Sequence, residues 1–336
     1  MGTATQPTTF SDFRTAFLNA AREATGVSGT NTIADRYLNS ALHDFFTNWD
    51  LPWAIRRAVL ITQPRYTTGT MSVSQGGTTV TGVSTLWNTA NVFAVNNARA
   101  GGKIVLGSVS DGVYEVSSVT NDTALVITSR FTGSDLAAGS SYIYFEDEYA
   151  LASDFFRSAH PKEFGNNLTV PIIDRQEFTR RYPRNDITGR PRIATIIDLA
   201  PSGSTARNQR IVFHPSPDLA YKIDYDYQTT NLAISSAGTA QVQMTADTDE
   251  PIIPLRYRHV LLLHALVHWY RDRKDDSERA QLTKGEFVDL MKRIAGDVTT
   301  ATPRPRLAPR TSHYFASRSP RGRRYDINSE FDQLLR

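Results

Sequence analysis

The sequence predicts an α+β fold: a helix bundle made from the N- and C-terminal segments, an inserted small antiparallel β-barrel or sandwich, additional central strands, and an extended C-terminal arm. Three observations predict it. Apolar residues recur at helical spacing near both ends of the chain, and between them the period falls to two. Residues 69–145 hold seven charged side chains in 77 positions, amid Gly, Thr, Ser and Val, a sharp change from the flanks. Past Val298 the periodicity stops. These shifts set the divisions: a core from 1–62 and 146–298, an inserted β domain at 63–145, and a basic arm at 299–336.

The first helix follows from Phe10, Phe13, Phe17, Ala20, Ala21 and Ala24, with Thr9 or Ser11 to cap its start and Gly26 to end it. A turn at Gly29-Thr30-Asn31-Thr32 leads into a second helix with a stripe of Ala34, Leu38, Ala41, Phe45 and Trp49, closed by Pro52. Two helices so joined read as an αα-hairpin.

Alternation begins at Arg57. The inserted domain offers strands at Thr70–Ser74, Thr78–Thr81, Lys103–Leu106, Val113–Val119, Ala124–Ser129 and Ser141–Phe145, with turns at Asp111-Gly112 and Asn121-Asp122. Helical patterns return at Leu151–Phe156 and Asp174–Tyr182. Strands follow at Arg192–Leu199, Gln209–His214 and Tyr221–Gln228, and a short one at Gln241–Met244. In Tyr221–Gln228, Tyr221, Ile223, Tyr225 and Tyr227 share one face, and Lys222, Asp224 and Asp226 the other, the pattern of a half-buried strand.

Pro251 and Pro254 precede a third helix, Leu255 to about Arg273, whose centre is apolar nearly all round and so should be buried on several sides. A fourth, Ser277 to about Ala295, gathers Ala280, Phe287, Leu290, Met291 and Ile294 on one face.

Composition excludes several classes. No cysteine is present, so disulfides, thiolate metal sites and cysteine nucleophiles are all ruled out. Residues 1–9 lack the basic start and apolar run of a secretory signal. The longest uncharged apolar stretch, Val260–Tyr270, has 11 residues, against about 20 for a membrane span. A soluble protein is expected, with no membrane partner.

The chemical candidates are weak, and no catalytic, cofactor-binding or metal residue is assigned. His264 and His268 stand four apart on a helix, but Ala265 occupies the position where a metalloprotease carries Glu, so they read as polar positions in a packed helix; His259 lies five residues before. The acidic groups Glu146-Asp147-Glu148, Asp224/Asp226 and Asp247/Asp249/Glu250 show no spacing that pairs them for acid–base work. Gly101-Gly102-Lys103 has Asn97 and Ile104 where a phosphate loop needs Gly and Ser or Thr. Gly82-Val-Ser84-Thr-Leu86 lacks the closing Gly of a nucleophile elbow. The chain is read as a non-enzyme without cofactors.

Charge points elsewhere. The net charge of +3 divides into −2 over residues 1–302, +7 over Pro303–Tyr325 and −2 over 326–336. Arg304, Arg306, Arg310, Arg318, Arg321, Arg323 and Arg324, interleaved with Tyr314, Phe315 and Tyr325, suit docking onto an acidic protein surface through bidentate pairs and aromatic anchors. The same residues could bind nucleic acid through phosphate contacts and stacking. Phe331, Leu334 and Leu335 follow at helical spacing and want a partner surface.

The β domain carries more specific wording. Thr78-Thr-Val-Thr-Gly82-Val-Ser-Thr-Leu-Trp87, Gly102-Lys-Ile-Val-Leu, and Val113-Tyr-Glu-Val-Ser-Ser-Val-Thr-Asn-Asp-Thr-Ala-Leu125 resemble a small β domain common in tailed-phage virion proteins. The likeness continues through Arg130-Phe-Thr-Gly, Tyr142-Ile-Tyr and Tyr149-Ala-Leu-Ala-Ser-Asp-Phe155. His214-Pro-Ser-Pro-Asp218, running into Tyr221-Lys-Ile-Asp-Tyr-Asp-Tyr227, and Glu250-Pro-Ile-Ile-Pro-Leu-Arg-Tyr-Arg-His259 are similar to segments before the last helices of phage neck adaptors. Over roughly residues 10–300 the chain thus resembles head-to-tail connector (adaptor, head-completion, tail-tubular-A-like) proteins.

That resemblance implies a structural virion protein: a ring, usually of twelve copies, beneath the portal protein, joined to the tail or nozzle protein and continuing the DNA channel. Double-stranded DNA would pass through the lumen without sequence-specific binding. The place implied is the neck of the virion, after assembly in the host cytoplasm. The arm then becomes a portal-docking extension. Two alternatives stand beside this: a glycan-binding or hydrolase tail component gripping carbohydrate through the β domain, and a nucleic-acid-binding protein acting through the Arg-rich tail.

Overall fold

A computed structural model describes residues 6–49, 51–108, 112–160, 162–183, 186–198 and 209–300. Residues 1–291 fold as one unit; of residues 292–336, only the continuation of the last helix to Thr300 is described. The fold is mixed α and β. Helices α1 (Phe10–Ala21), α2 (Ser28–Asn48), α3 (Arg175–Arg181), α4 (His259–Asp272) and α5 (Ser277–Thr300) flank and punctuate a strand-rich middle.

Thr9 starts α1 through a reciprocal capping box: its hydroxyl accepts from the Asp12 N–H at 3.3 Å, while the Asp12 carboxylate accepts from the Thr9 N–H at 3.0 Å. Two further amides at this end, Phe10 and Ser11, donate to the carbonyls of Asp249 and Asp247. The helix stops at Ala21, with Arg22 in the left-handed region at φ 56°, earlier than the apolar pattern through Ala24 suggests. Gly26 lies beyond it, and Gly29 to Thr32, expected as a turn, form the opening of α2.

Phe17 of α1, Tyr37 of α2 and Trp269 of α4 meet, with Trp269 edge-on to both other rings at 5.3–5.5 Å. Arg258 adds polar fastening at the entry to α4, donating to the carbonyls of Thr8 and Ile253 and to the Glu250 carboxylate.

From α2 the chain enters strand β1 (Ile55–Ile61), then a seven-stranded antiparallel sheet. Its members are β2 (Thr70–Val73), β3 (Thr79–Val83), β4 (Lys103–Leu106), β5 (Val113–Asn121), β6 (Ala124–Ile127), β7 (Leu136–Ser140) and β8 (Tyr142–Phe145), in the order β7-β2-β3-β6-β5-β4-β8. It is one sheet curled into half a barrel, neither the closed barrel nor the two-sheet sandwich expected. Its concave face holds a separate core including Met71, Val80, Trp87, Ile104, Val116, Leu125 and Phe131. Gly69, at φ +83°, admits the close approach of the Ser84 backbone; a Cβ there would sit 2.6 Å from that carbonyl oxygen. The chain enters and leaves this sheet side by side, because Tyr66 and Tyr144 exchange both backbone hydrogen bonds, at 2.8 and 2.9 Å.

After β8 come β9 (Glu148–Ala150) and β10 (Phe155–Ser158). Leu151–Phe156, expected as helix, forms a turn and the start of β10. Phe155 pairs with Thr229, and Asp154 accepts hydroxyl bonds from Tyr227 and Thr229 at 2.7 Å each, which hold the segment extended. Strand Lys222–Thr229 lies between β1 and β10, and strand Gln209–His214 between β9 and Ile193–Asp198. The two small sheets share a core of Tyr149, Phe155, Phe164, Ala194, Ile211, Phe213, Ile223, Tyr225 and Tyr227. Helix α3 is capped by Asp174, whose carboxylate accepts from the Gln176 N–H at 2.8 Å.

Among the described residues no helix is long and apolar enough to cross a membrane.

Candidate functional site

The arm residues, Arg304, Arg306, Arg310, Tyr314, Phe315, Arg318, Arg321, Arg323, Arg324, Tyr325, Phe331, Leu334 and Leu335, lie outside the described residues. The remaining candidates can be placed one by one.

Each acidic group has a partner. Arg57 grips Asp226 through Nε at 2.9 Å, and that bond holds the Asp226 carboxyl below its ordinary value. Asp247 pairs with Arg14 at 2.8 Å, and Asp249 accepts from the amides of Thr245 and Ala246 at 2.7 and 2.8 Å. Glu250 pairs with Arg258 at 2.7 Å. These contacts fix loops and strand faces, and none opposes two carboxylates across a cleft.

Glu146-Asp147-Glu148 is different, because it connects the half-barrel strand β8 to β9 of the central sheets. Glu146 takes a fork from Arg99 and the Tyr144 hydroxyl at 2.8 Å. Lys103 reaches Asp147 at 3.1 Å and Glu148 at 3.0 Å, and Arg210 approaches Glu148 at 3.6 Å. Burial works against the Lys103 charge, but Asp147 and Glu148 together hold its pKa above the ordinary value. Asp147 is buried more deeply. Desolvation pushes its carboxyl up, and one ammonium shared with Glu148 does not fully offset that. Lys103 is therefore committed to two acids. The adjacent Gly102 carries no side chain because the Tyr144 ring occupies that space.

The aromatics of the half-barrel, Tyr114, Phe131, Tyr142 and Tyr144, are all core residues, at most 5% exposed. They offer no platform for sugar stacking. Apolar exposure lies elsewhere, along β1. This is an edge strand whose Ile55, Val59 and Ile61 are each 40–51% exposed on one side, and among the described residues no strand pairs with its free edge. A cleft of about 360 Å³ runs beside it, with Val59, Ile61, Phe93 and Val95 on the apolar wall and Arg99, Glu148 and Arg210 at the polar end. Val92, at the tip of the loop that supplies Phe93, is 92% exposed. Sequence reasoning passed over this region, because period-two alternation tells which residues share a face but not whether that face is covered.

A second cluster unites α2 and α4. His264 and His268 turn their Nε2 atoms toward each other at 3.4 Å, and Asp44 of α2 brings a carboxylate oxygen to 3.8 Å from His268 Nε2. All three ligand-type atoms lie within 4.8 Å of one another. Trp49 packs edge-on and Phe287 stacks on the His264 ring. Burial holds His264 down at about 4, with nearby His268 and Arg271 adding to the effect; burial and Arg271 lower His268 as well. Burial thus disfavours the charged form of both rings. On its far side His268 Nδ1 takes a contact from Arg271 at 3.1 Å. The i, i+4 histidines are visible in the sequence, whereas Asp44 joins them only through the packing of α2 on α4. His259 has no part in this cluster.

Comparison with family models and with curated proteins finds no match.

Proposed function

We propose that this chain is a structural ring subunit of a tailed-phage neck: an adaptor that binds beneath the portal protein, joins it to the tail or nozzle protein, and continues the DNA channel. In this reading the helices from the two chain ends form the bundle of a twelve-membered ring, and Thr299–Arg336 is the arm that docks on the portal. The observation that supports it most is the insertion. A half-barrel with its own core enters and leaves at Tyr66 and Tyr144, between chain segments whose helices α1, α2 and α4 pack together. That is the layout the sequence resemblance implies.

The physical requirements of a ring agree. Each subunit needs two different surfaces that meet on neighbours. The exposed edge of β1, with Ile55, Val59 and Ile61 beside the Phe93 cleft, is a surface of this kind. The ion pairs from Arg99 and Lys103 to Glu146, Asp147 and Glu148 would keep the half-barrel at a fixed attitude to the core, as a neck under mechanical stress requires.

Sedimentation velocity of the full-length protein, alone and mixed with the portal ring of the same phage, tests the reading. Addition to the portal in a fixed multiple is expected. Absence of any complex at physiological salt would overturn it. A glycan-binding role is not favoured, since the four aromatics that would have carried it are buried.

A further inference from the structure

We propose that Asp44, His264 and His268 form a binding site for a borderline divalent transition metal, zinc foremost, that staples the N-terminal helix α2 to the C-terminal helix α4. The argument is geometric. Zinc bound at about 2.0–2.1 Å in a tetrahedron spaces its ligand atoms about 3.3 Å apart. The two Nε2 atoms stand 3.4 Å apart, close to that edge, and the ring planes cross at 86°. The Asp44 oxygen lies 3.8 Å from His268 Nε2 and within 4.8 Å of the His264 ligand nitrogen, so closing on an ion draws this side chain inward to supply the third corner. Among the described residues the Asp44 carboxylate makes no closer ion pair than this one, and Arg271 acts on it only at longer range.

The chemistry of the donors narrows the metal. Two imidazoles and one carboxylate suit zinc, cobalt, nickel or copper, whereas calcium and magnesium take oxygen ligands. His268 and Asp44 are partly exposed, at 22% and 43% of their side chains, which leaves an approach for the ion and for water as a fourth ligand. The Trp49 and Phe287 rings around His264 supply a firm wall that fixes its orientation.

One contact opposes the metal and gives the proposal an internal check. Arg271 donates to His268 Nδ1, and this favours the tautomer with its proton on Nε2, the nitrogen a metal would need. Metal binding places that proton on Nδ1 instead, so Arg271 must turn away. Its side chain is 62% exposed, which leaves it room to turn into solvent. Removing Arg271 should therefore tighten metal binding.

The test uses the full-length chain, stripped with chelator and then titrated with zinc chloride by calorimetry, with cobalt(II) absorption to report coordination geometry. One equivalent of zinc per chain at micromolar affinity, and the intense visible bands of tetrahedral cobalt, are expected. Asp44→Asn and His268→Gln should each weaken binding at least tenfold, and Arg271→Ala should strengthen it several-fold. His264 is left intact in this set because its ring packs between Trp49 and Phe287. Circular dichroism of each variant guards against misfolding. No stoichiometric zinc in the unaltered protein would overturn the proposal. So would unchanged binding in folded Asp44→Asn and His268→Gln, which would place the ion at another histidine such as His43. Weaker binding in Arg271→Ala would also count against it.

Discussion

Gly102 and Tyr144 occupy one space between them: a Cβ built on Gly102 would lie 2.0 Å from the Tyr144 hydroxyl oxygen. The ring cannot swing clear. It is almost fully buried, its hydroxyl donates to Glu146 at 2.8 Å, and it accepts from the Arg99 amide at 2.9 Å. Gly102→Ala should therefore cost about 1–3 kcal/mol through overpacking. A lowered melting temperature would be the readout. Adding Tyr144→Phe should recover little, because the ring carbons of residue 144 would still lie 2.4 and 2.5 Å from the new Cβ.

Lys103 stands between Asp147 and Glu148, and Asp147 is 2% exposed. Lys103→Met leaves that carboxylate buried without its cation, at a cost of about 3–5 kcal/mol. The sign of the pH dependence follows from burial. A carboxyl raised above its ordinary value binds its proton more readily in the folded state, so acidification relieves the strain. Denaturant melts of Lys103→Met should show a larger deficit at pH 7 than at pH 5.

Asp12 gives the opposite dependence. Hydrogen bonds from the Thr9 amide, then from the Thr8 hydroxyl, hold its carboxyl down at about 2 against an ordinary 3.8. Its support for α1 is complete above the ordinary value and fades as pH falls through about 2. Asp12→Ala should lose about 1 kcal/mol at neutral pH. The gap between variant and parent should close in acid melts.

Val59 is half exposed on the free edge of β1, so Val59→Lys should change folding stability by no more than about 0.5 kcal/mol. If this edge meets a neighbouring subunit, the same substitution should block ring formation. Sedimentation of parent and variant, at matched concentrations and with the portal present, separates the two effects.

Much of the fold could be read where side-chain pattern and tertiary environment agree. Lys103–Leu106 and Gln209–His214 have the bounds that their alternation suggests. Leu136–Ser140 was missed: Leu-Ala-Ala-Gly-Ser has neither β-branched residues nor alternation, and it is a strand only because β2 offers it an edge. Leu151–Phe156 misled in the other direction. Its apolar spacing fits a helix, but pairing with Thr229 and the hydroxyls on Asp154 outweigh that local preference. The same division governs the metal cluster. Spacing reveals His264 and His268, while Asp44 is an ordinary acid on an amphipathic helix until α4 lies against it.

The paired backbones of Tyr66 and Tyr144 have a consequence for how such a chain can change over time. A domain whose two ends emerge as neighbours needs only one point of attachment in its host. Exchange of such a segment keeps the join intact only if the newcomer also supplies the cations that Arg99 and Lys103 give to Glu146, Asp147 and Glu148. The far loops of the half-barrel can therefore vary at their own pace, while the join at Tyr66 and Tyr144 and the helices and central sheets keep their shape.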